Sequence, residues 1–410
     1  MRSELFRIPL EIGGAPLFGV GWLLAVWVII ACAALAWVWT NQQRRQEFWS
    51  YAFPALIGAA MIFAVPRLAP EGIPIRGYGV MLLLAVSTGL AMMIHRAKAR
   101  GIHPDLIFSL AFWLFIAGIA GARLFFVIEY WDVRFAGQDL KSTLVDVLRF
   151  TEGGLVVYGS LIGASLAFVL FTRRHKLPVL GMADMIAPSL VAGLAIGRLG
   201  CLLNGCCYGG SCDLPWAVTF PQGSPAYMDQ LVHGEMHGLR LIESLPSEGK
   251  SPGLLVVTDK QSNQTEPVSA INGRPAPDLI SAGSAFSEAH ATGRPVTVET
   301  TEGRLISAPP STNQRSLPVH PTQVYSAINA GLLAWLLWAY YPHRRHEGEV
   351  MLLLLTIYPV SRFLLEIIRT DEDAIFGTGM SISQNVSIVI LVLACLAWTQ
   401  IGRSPATTES

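Results

Sequence analysis

The chain has 410 residues, 52% of them hydrophobic and only 14% charged, and its formal net charge is zero. A typical soluble domain is about 25% charged, and a neutral chain has no global field to draw in nucleic acid. Composition therefore excludes an ordinary soluble domain and gives no support to a nucleic-acid binder.

The apolar residues gather in blocks of about twenty, the length that crosses a hydrocarbon core as a helix. Nine spans are predicted: Pro16–Val38, Ala52–Val65, Tyr78–Ile94, Leu106–Val127, Val156–Phe171, Met182–Leu203, Val324–Tyr341, Val350–Ile367 and Ser383–Trp398. The runs are continuous rather than alternating, which calls for helices and not a barrel. The first run is longer than the core of a cleaved signal peptide. "IIAC" at Ile29–Cys32 has the look of a lipoprotein processing site, but the chain stays apolar after it, so a plain helix is expected.

Basic residues follow the odd-numbered spans: Arg44 and Arg45; His95, Arg96, Lys98 and Arg100; Arg173, Arg174 and Lys176; Arg344 and Arg345; and Arg403. By the positive-inside rule these loops share the cytoplasmic side, with the N-terminus outside and the C-terminus inside. The short second span is needed to keep this alternation.

The fold class expected is an all-α polytopic membrane bundle, with a seven-span core, two added N-terminal spans and a small β-containing extracytoplasmic insertion. Its parts are 1–70, the extra pair; 71–210, the first part of the core; 211–317, the insertion; 318–402, the second part; and 403–410, a cytoplasmic tail. "PLFGVGWLLAV" and "PIRGYGVMLLLAV" open spans one and three alike and hint at a duplication. In the insertion "GLLVVTD" and "RPVTVETTEGRLIS" read as strands, and Asp259–Pro277 as a loop.

Ionisable side chains at membrane depth are costly and face a cavity or the bundle interior. Those in or beside external helix ends are taken to be Arg76, Arg123, Glu129, Asp184, Arg198, Arg362, Glu366 and Arg369. Arg362, Glu366 and Arg369 share a face at i, i+4 and i+7. Arg198 has no opposite charge within a turn, and its planar fork suits a phosphate or a neighbouring carboxylate. Tyr158 and Asn204 add hydrogen-bonding groups near the external ends of their spans, although tyrosine also serves as a plain interfacial anchor.

The cysteines are Cys32, Cys201, Cys206, Cys207, Cys212 and Cys395. "CLLNGCCYGGSC" lacks paired CxxC-type spacing, so neither a metal nor any other cofactor is expected. A disulfide of Cys212 with Cys206 or Cys207 is favoured over it.

Several motifs in order resemble the bacterial phosphatidylglycerol–prolipoprotein diacylglyceryl transferase family: "IRGYGVMLLLA", "GARLFFVIEYW", "GGLVVYGSLIGA", "ADMIAP", "GRLGCLLNGCCYG", "HPTQVYSA" and "SRFLLEIIRTDED". The resemblance runs from Ile75 to the end, without the insertion. It implies a plasma-membrane enzyme that moves a diacylglyceryl group from phosphatidylglycerol to the lipobox cysteine thiol of prolipoproteins, releasing glycerol phosphate. Its partners would be phosphatidylglycerol, prolipoprotein signal peptides and the bilayer, with no nucleic acid. Carried over by position, it implies Arg198, Arg362 and Tyr158 as catalytic. Tyr78, Asn204, Gly209, Tyr358, Glu366, Arg369, His320 and Gln323 are implied as substrate-binding, and Asp184, Pro321 and Tyr325 also match. The chain departs from the pattern at Tyr158, where the family has histidine; at Cys201 and Cys206, where it has Asn and Glu; and at Ser326, where it has Glu. A phenol with a pKa near 10 is a poor base at neutral pH, so Arg198 and Arg362 are assigned to the lipid phosphate and Glu366 and Arg369 to holding them. Two other classes are weighed. One is a re-purposed paralogue binding anionic lipid or lipoproteins. The other is a small-solute transporter, which would need an inverted repeat and midplane charges.

Overall fold

The computed structural model describes residues 4–41, 48–131, 135, 139–148, 154–236, 238–243, 254–259, 264–276, 279–309, 315–369 and 379–401. Arg44, Arg45, Arg403, Glu152 and the segment Thr370–Asp373 of the quoted motifs lie outside these. The chain divides into two compact units, residues 2–80 and 81–410.

The first unit holds strands β1 (Glu4–Ile8), β2 (Glu11–Ile12) and β3 (Ala15–Pro16), helices α1 (Trp22–Thr40) and α2 (Phe48–Leu68), and strand β4 (Ile73–Arg76). β1 pairs antiparallel with β4, and β2 with β3. The Trp27 indole donates to the Ala55 carbonyl at 2.9 Å, tying α1 to α2. Helix α3 (Gly77–Ala99) begins in this unit, so Tyr78 belongs to it.

The second unit adds α4 (Pro104–Glu129), α5 (Leu140–Leu148), α6 (Val157–Arg174) and α7 (Val179–Asn204). After the insertion come α10 (Thr322–Tyr340), α11 (Glu349–Glu366) and α12 (Ile382–Ile401). Among the described residues each of the nine predicted spans falls on a helix of eighteen residues or more. Six of these, α1, α2, α3, α4, α7 and α12, are long and apolar enough to cross a membrane. Helices α6, α10 and α11 carry more polar side chains, and α10 and α11 take part in the site described below.

The core of the bundle packs Met182, Met185 and Val191 of α7 against Ile107 and Leu110 of α4, Leu333 and Leu337 of α10, and Val350 and Leu354 of α11. Large apolar side chains such as Phe112, Trp113, Phe115, Leu332 and Trp335 are exposed on the outside. So much exposed apolar surface suits contact with lipid. Helices α4 and α6 meet backbone to backbone: a Cβ on Gly121 or Gly159 would land on the other's carbonyl oxygen. This close approach, typical of small residues between membrane helices, fixes the start of α6 and with it Tyr158.

Two of the expected external ionisable groups have structural partners instead. Arg123 is buried, and its guanidinium donates to the carbonyls of Val147 and Gly154, both at 2.9 Å, and to that of Asp146. It closes the connection between α4 and α6. Asp184 lies fourteen positions before Arg198 on α7, about 21 Å along the helix at 1.5 Å per residue. It is fully buried and accepts from the backbone N–H groups of Gly348 (2.7 Å) and Met351 (3.0 Å), capping the start of α11, with Arg344 at 3.7 Å. A carboxylate at a helix N-terminus meets unpaired N–H groups and the positive end of the dipole. Asp184 is therefore at the end of α7 opposite Arg198. Near it Arg96 stacks over Trp338 and Tyr341, at 3.9 and 4.3 Å from the ring centroids, and Arg100 pairs with Glu347 at 3.4 Å. The basic end of the bundle and the Arg198 end are thus distinct.

The insertion contains α8 (Pro225–Val232), strands β5 (Leu241–Glu243), β6 (Leu254–Asp259), β7 (Gln264–Ile271) and β8 (Arg274–Pro275), helix α9 (Leu279–Ala291), and strands β9 (Val296–Thr300) and β10 (Leu305–Ala308). The sheet runs β10-β9-β7-β6-β5, with β8 beside β7. Leu241, Val256, Ile271, Phe286, Val296 and Val298 form its own core. In the stretch read as a loop over Asp259–Pro277, the described residues are largely strand, and Val268 and Ala270 pair with β9.

Candidate active site

Three helices of the second unit bring polar side chains to one pocket. Helix α7 supplies Leu194 and Arg198 (i, i+4), α10 supplies Ser326 and Asn329 (i, i+3), and α11 supplies Tyr358, Arg362 and Leu365 (i, i+4, i+7). Each set is spaced to share one face of its helix. The pocket is narrow and partly open to its surroundings. Leucines make part of its wall, and two guanidinium groups with a phenol, an amide and a hydroxyl make the rest. Such a pocket favours an anionic head on an apolar body.

The charges around it are organised by α11. Arg362 forms an ion pair with Glu366, and Arg369 reaches the same carboxylate oxygen at 3.7 Å. Glu366 and Arg369 are almost fully buried, and Arg362 is slightly more exposed because it borders the cavity. These three side chains together sum to one positive charge. Arg362 also donates to Ser383 Oγ at 3.0 Å, from the first turn of α12. The Tyr158 hydroxyl stands 3.5 Å from the same Ser383 Oγ. Tyr158 therefore reaches Arg362 through one hydroxyl and does not line the cavity among its described residues. Asn329 is oriented by its amide, which donates to Ser361 Oγ at 2.9 Å.

The other expected site residues support the floor of this region. Helix α7 stops at Asn204, where Gly205 N–H returns to the Cys201 carbonyl at 2.9 Å. The following loop is stitched to two other segments. Gly209 N–H donates to the His320 carbonyl at 2.9 Å, and Gly210 N–H to the Ile368 carbonyl at 3.0 Å. A Cβ on Gly209 would lie 2.7 Å from Thr322 Cγ2, 2.8 Å from His320 Cβ and 3.0 Å from the Ile368 oxygen, so only glycine fits. Gln323, fully buried, donates to the Cys206 carbonyl at 2.7 Å, and Thr322 to the Cys207 carbonyl at 2.6 Å. The His320 ring lies 3.5 Å from the Tyr325 hydroxyl, which accepts from Trp216 at 2.8 Å. His320, Gln323 and Gly209 thus hold the loop that follows Asn204, while Arg198, Arg362 and Tyr358 meet at the cavity. Tyr78 lies in the unit of residues 2–80.

Sequence reasoning missed Asn329 and Ser383. Asn329 carried a signal, being three positions from Ser326 on the same helical face. Ser383, a single hydroxyl at a helix start, carried none. All six cysteines are free thiols, so Cys212 forms no disulfide. The thiols of Cys201, Cys206 and Cys207 lie within 4.8 Å of one another.

The family profile described as prolipoprotein diacylglyceryl transferase matches residues 64–249 and 282–400. A phosphatidylglycerol–prolipoprotein diacylglyceryl transferase of Rhodopirellula baltica is 33% identical over the whole of this chain and 92% of its own length. Proteins of the same name from Clostridium tetani and Synechococcus elongatus are 25% and 36% identical. The former covers 78% of this chain and 91% of the relative, the latter 38% and 52%.

Proposed function

The chain belongs to the prolipoprotein diacylglyceryl transferase family, and from that premise we propose that it moves a diacylglyceryl group from phosphatidylglycerol to a prolipoprotein cysteine thiol in the bacterial plasma membrane, with the Arg198–Arg362 pocket as the phosphate site. The observation that carries this reading is the meeting of two guanidiniums from different helices in one partly apolar cavity. In the reaction the thiol sulfur forms a bond to the glycerol carbon bearing the phosphate. That carbon's bond to the phosphate oxygen breaks, and glycerol phosphate leaves with the electron pair. The thiol proton is lost to the leaving phosphate or to water.

Arg198 and Arg362 lower the barrier by meeting charge that gathers on the leaving phosphate, where a low dielectric and fixed donors count most. Glu366 and Arg369 hold the Arg362 fork, and Tyr358 and Asn329 offer hydrogen bonds to the headgroup. Tyr158 acts through Ser383 as a positioning residue. The basic end near Asp184 and Arg344 faces the cytoplasm by the charge rule, which puts the pocket toward the external leaflet, the N-terminus outside and the C-terminus inside.

The test is transfer of labelled diacylglyceryl from phosphatidylglycerol vesicles to a lipobox peptide thiol. Arg198→Ala is expected to lower transfer by 10²- to 10³-fold, the loss typical of one preorganised charge-stabilising donor. Transfer within twofold of the parent would remove Arg198 from the phosphate site.

A further inference from the structure

Cys201 sits on the last turn of α7, three positions after Arg198, and Cys206 and Cys207 sit on the loop that turns back beneath it. No two of the three sulfurs are more than 4.8 Å apart. A trigonal or tetrahedral ion with metal–sulfur bonds of about 2.3 Å needs sulfurs about 3.8–4.0 Å apart, so the thiols close on an ion with sub-ångström shifts. Three converging thiols fit an ion better than a disulfide, which uses two and leaves the third idle. The Cys206–Cys207 pair, being adjacent in sequence, is also poorly placed for a bond between its own sulfurs.

The surroundings agree. The two loop cysteines are fixed by their carbonyls, Cys206 to Gln323 at 2.7 Å and Cys207 to Thr322 at 2.6 Å. Cys207 has a φ of 58°, unusual for a residue other than glycine. All three cysteines are half-buried, open enough for an ion to enter. Arg198 and Arg369 both act electrostatically on Cys207. Three thiolates around a monovalent or divalent ion leave an anionic complex, and these guanidiniums compensate it.

We propose that Cys201, Cys206 and Cys207 form a three-thiolate site for a soft d10 cation of the Zn²⁺ or Cu⁺ class. Binding forms three sulfur–metal bonds and releases the thiol protons to solvent, with no change of oxidation state. The ion ties the end of α7 to the loop that α10 already holds, and so fixes the helix turn that carries Arg198. The sulfurs are brought together by the helix end and the returning loop. This is why the spacing, which lacks CxxC pairs, gives no hint of the site.

The test uses the full-length protein in detergent micelles, reduced, stripped with chelator and titrated anaerobically with Cd²⁺ as a d10 probe. A thiolate-to-metal charge-transfer band saturating at one equivalent is expected. It is lost in C201S, C206S and C207S and kept in C32S, C212S and C395S. Without any substitution, one equivalent of Cd²⁺ is expected to protect these three thiols from alkylation, read by peptide mass. Absence of the band at one equivalent, its survival in the triple variant C201S/C206S/C207S, or a disulfide among the three that persists after chelation would overturn the proposal.

Discussion

Glu366→Gln isolates what the buried carboxylate does, because it removes the charge at nearly constant shape. Glu366 lies between Arg362 and Arg369, and all three side chains are largely buried. Losing the carboxylate raises the cluster from one excess positive charge to two. Removing one partner of a buried pair costs about 3–5 kcal/mol, because the remaining charge stays desolvated. Arg362 borders the cavity and keeps some contact with water, so the lower end applies, about 3 kcal/mol. At about 1.4 kcal/mol per factor of ten, that is roughly a hundredfold loss in the population with the Arg362 fork in place. Transfer to a lipobox peptide is therefore expected to fall about a hundredfold, with a lowered midpoint of thermal unfolding in detergent. The double variant Glu366→Gln/Arg369→Gln returns the cluster to one excess charge, so it should recover most of the lost midpoint but not the activity. A single variant with parent-like midpoint and activity, or a double variant less stable than the single, would refute the charge argument.

Gly209→Ala forces a methyl into three contacts of 2.7–3.0 Å and is expected to cost about 1–3 kcal/mol, with transfer falling alongside the unfolding midpoint. Tyr158→Phe removes a single hydroxyl 3.5 Å from Ser383, so transfer should slow about two- to twelvefold, the value of about 0.5–1.5 kcal/mol, with no change in midpoint beyond about a degree or two. Asp184→Asn should lower the midpoint by about 3 kcal/mol of stability while leaving KM for the lipid unchanged in the folded fraction, because its partners are the start of α11 and Arg344. In the insertion, Asp229 holds the His233 imidazolium above its ordinary range, chiefly by hydrogen bonding. Burial pushes Asp229 up, but hydrogen bonds from His233 and Tyr208 outweigh it and leave the carboxyl lowered. The His233 contribution is present below the ordinary imidazole range and lost as pH rises through its raised pKa. The Asp229 contribution is present above the ordinary carboxylate range and lost as pH falls through its lowered pKa. Both groups are partly exposed, so the effect is at most about 1 kcal/mol. His233→Gln should flatten the alkaline limb of midpoint against pH.

The spans were legible because lipid imposes one rule on every stretch: about twenty apolar residues and an internally satisfied backbone. The same rule made Arg198, Arg362, Glu366 and Arg369 conspicuous, since a charge in such a helix needs a reason. The rule does not say what the reason is. Arg123 stands out as much as Arg198, yet its donors go to the carbonyls of Val147 and Gly154. Irregular chain near membrane depth must be satisfied by something, and a buried guanidinium with five donors does it well. Asp184 stands out in the same way, yet it lies near the start of α7, far from Arg198, and caps α11. In the insertion no lipid rule applies. In the run "LISAGSAFSEAHA" three serines and a glycine weaken the helix signal that its alanines give, and Phe286, fully buried, anchors α9 on the sheet. Packing there overrides weak local preference.

The cysteines separate spacing from geometry most clearly. A CxxC pair announces a metal because two ligands three positions apart converge in almost any turn. Cys201 and Cys206 are five apart, on either side of a helix end, where convergence depends on how the chain leaves the helix. Here Gly205 closes the last turn onto the Cys201 carbonyl, and Cys206 N–H follows to that same oxygen at 3.2 Å. Both loop carbonyls are then taken by α10. The thiols thus converge through hydrogen bonds from a helix more than a hundred residues away in sequence, beyond the reach of any local pattern. The same contacts settle how Arg198 can be shared. Its backbone lies on the turn just before the one that the loop closes, and its guanidinium lines the cavity. A change in the sulfur cluster is therefore felt at the pocket through one helical turn, whereas a change at His320 or Gln323 has to pass through the loop first.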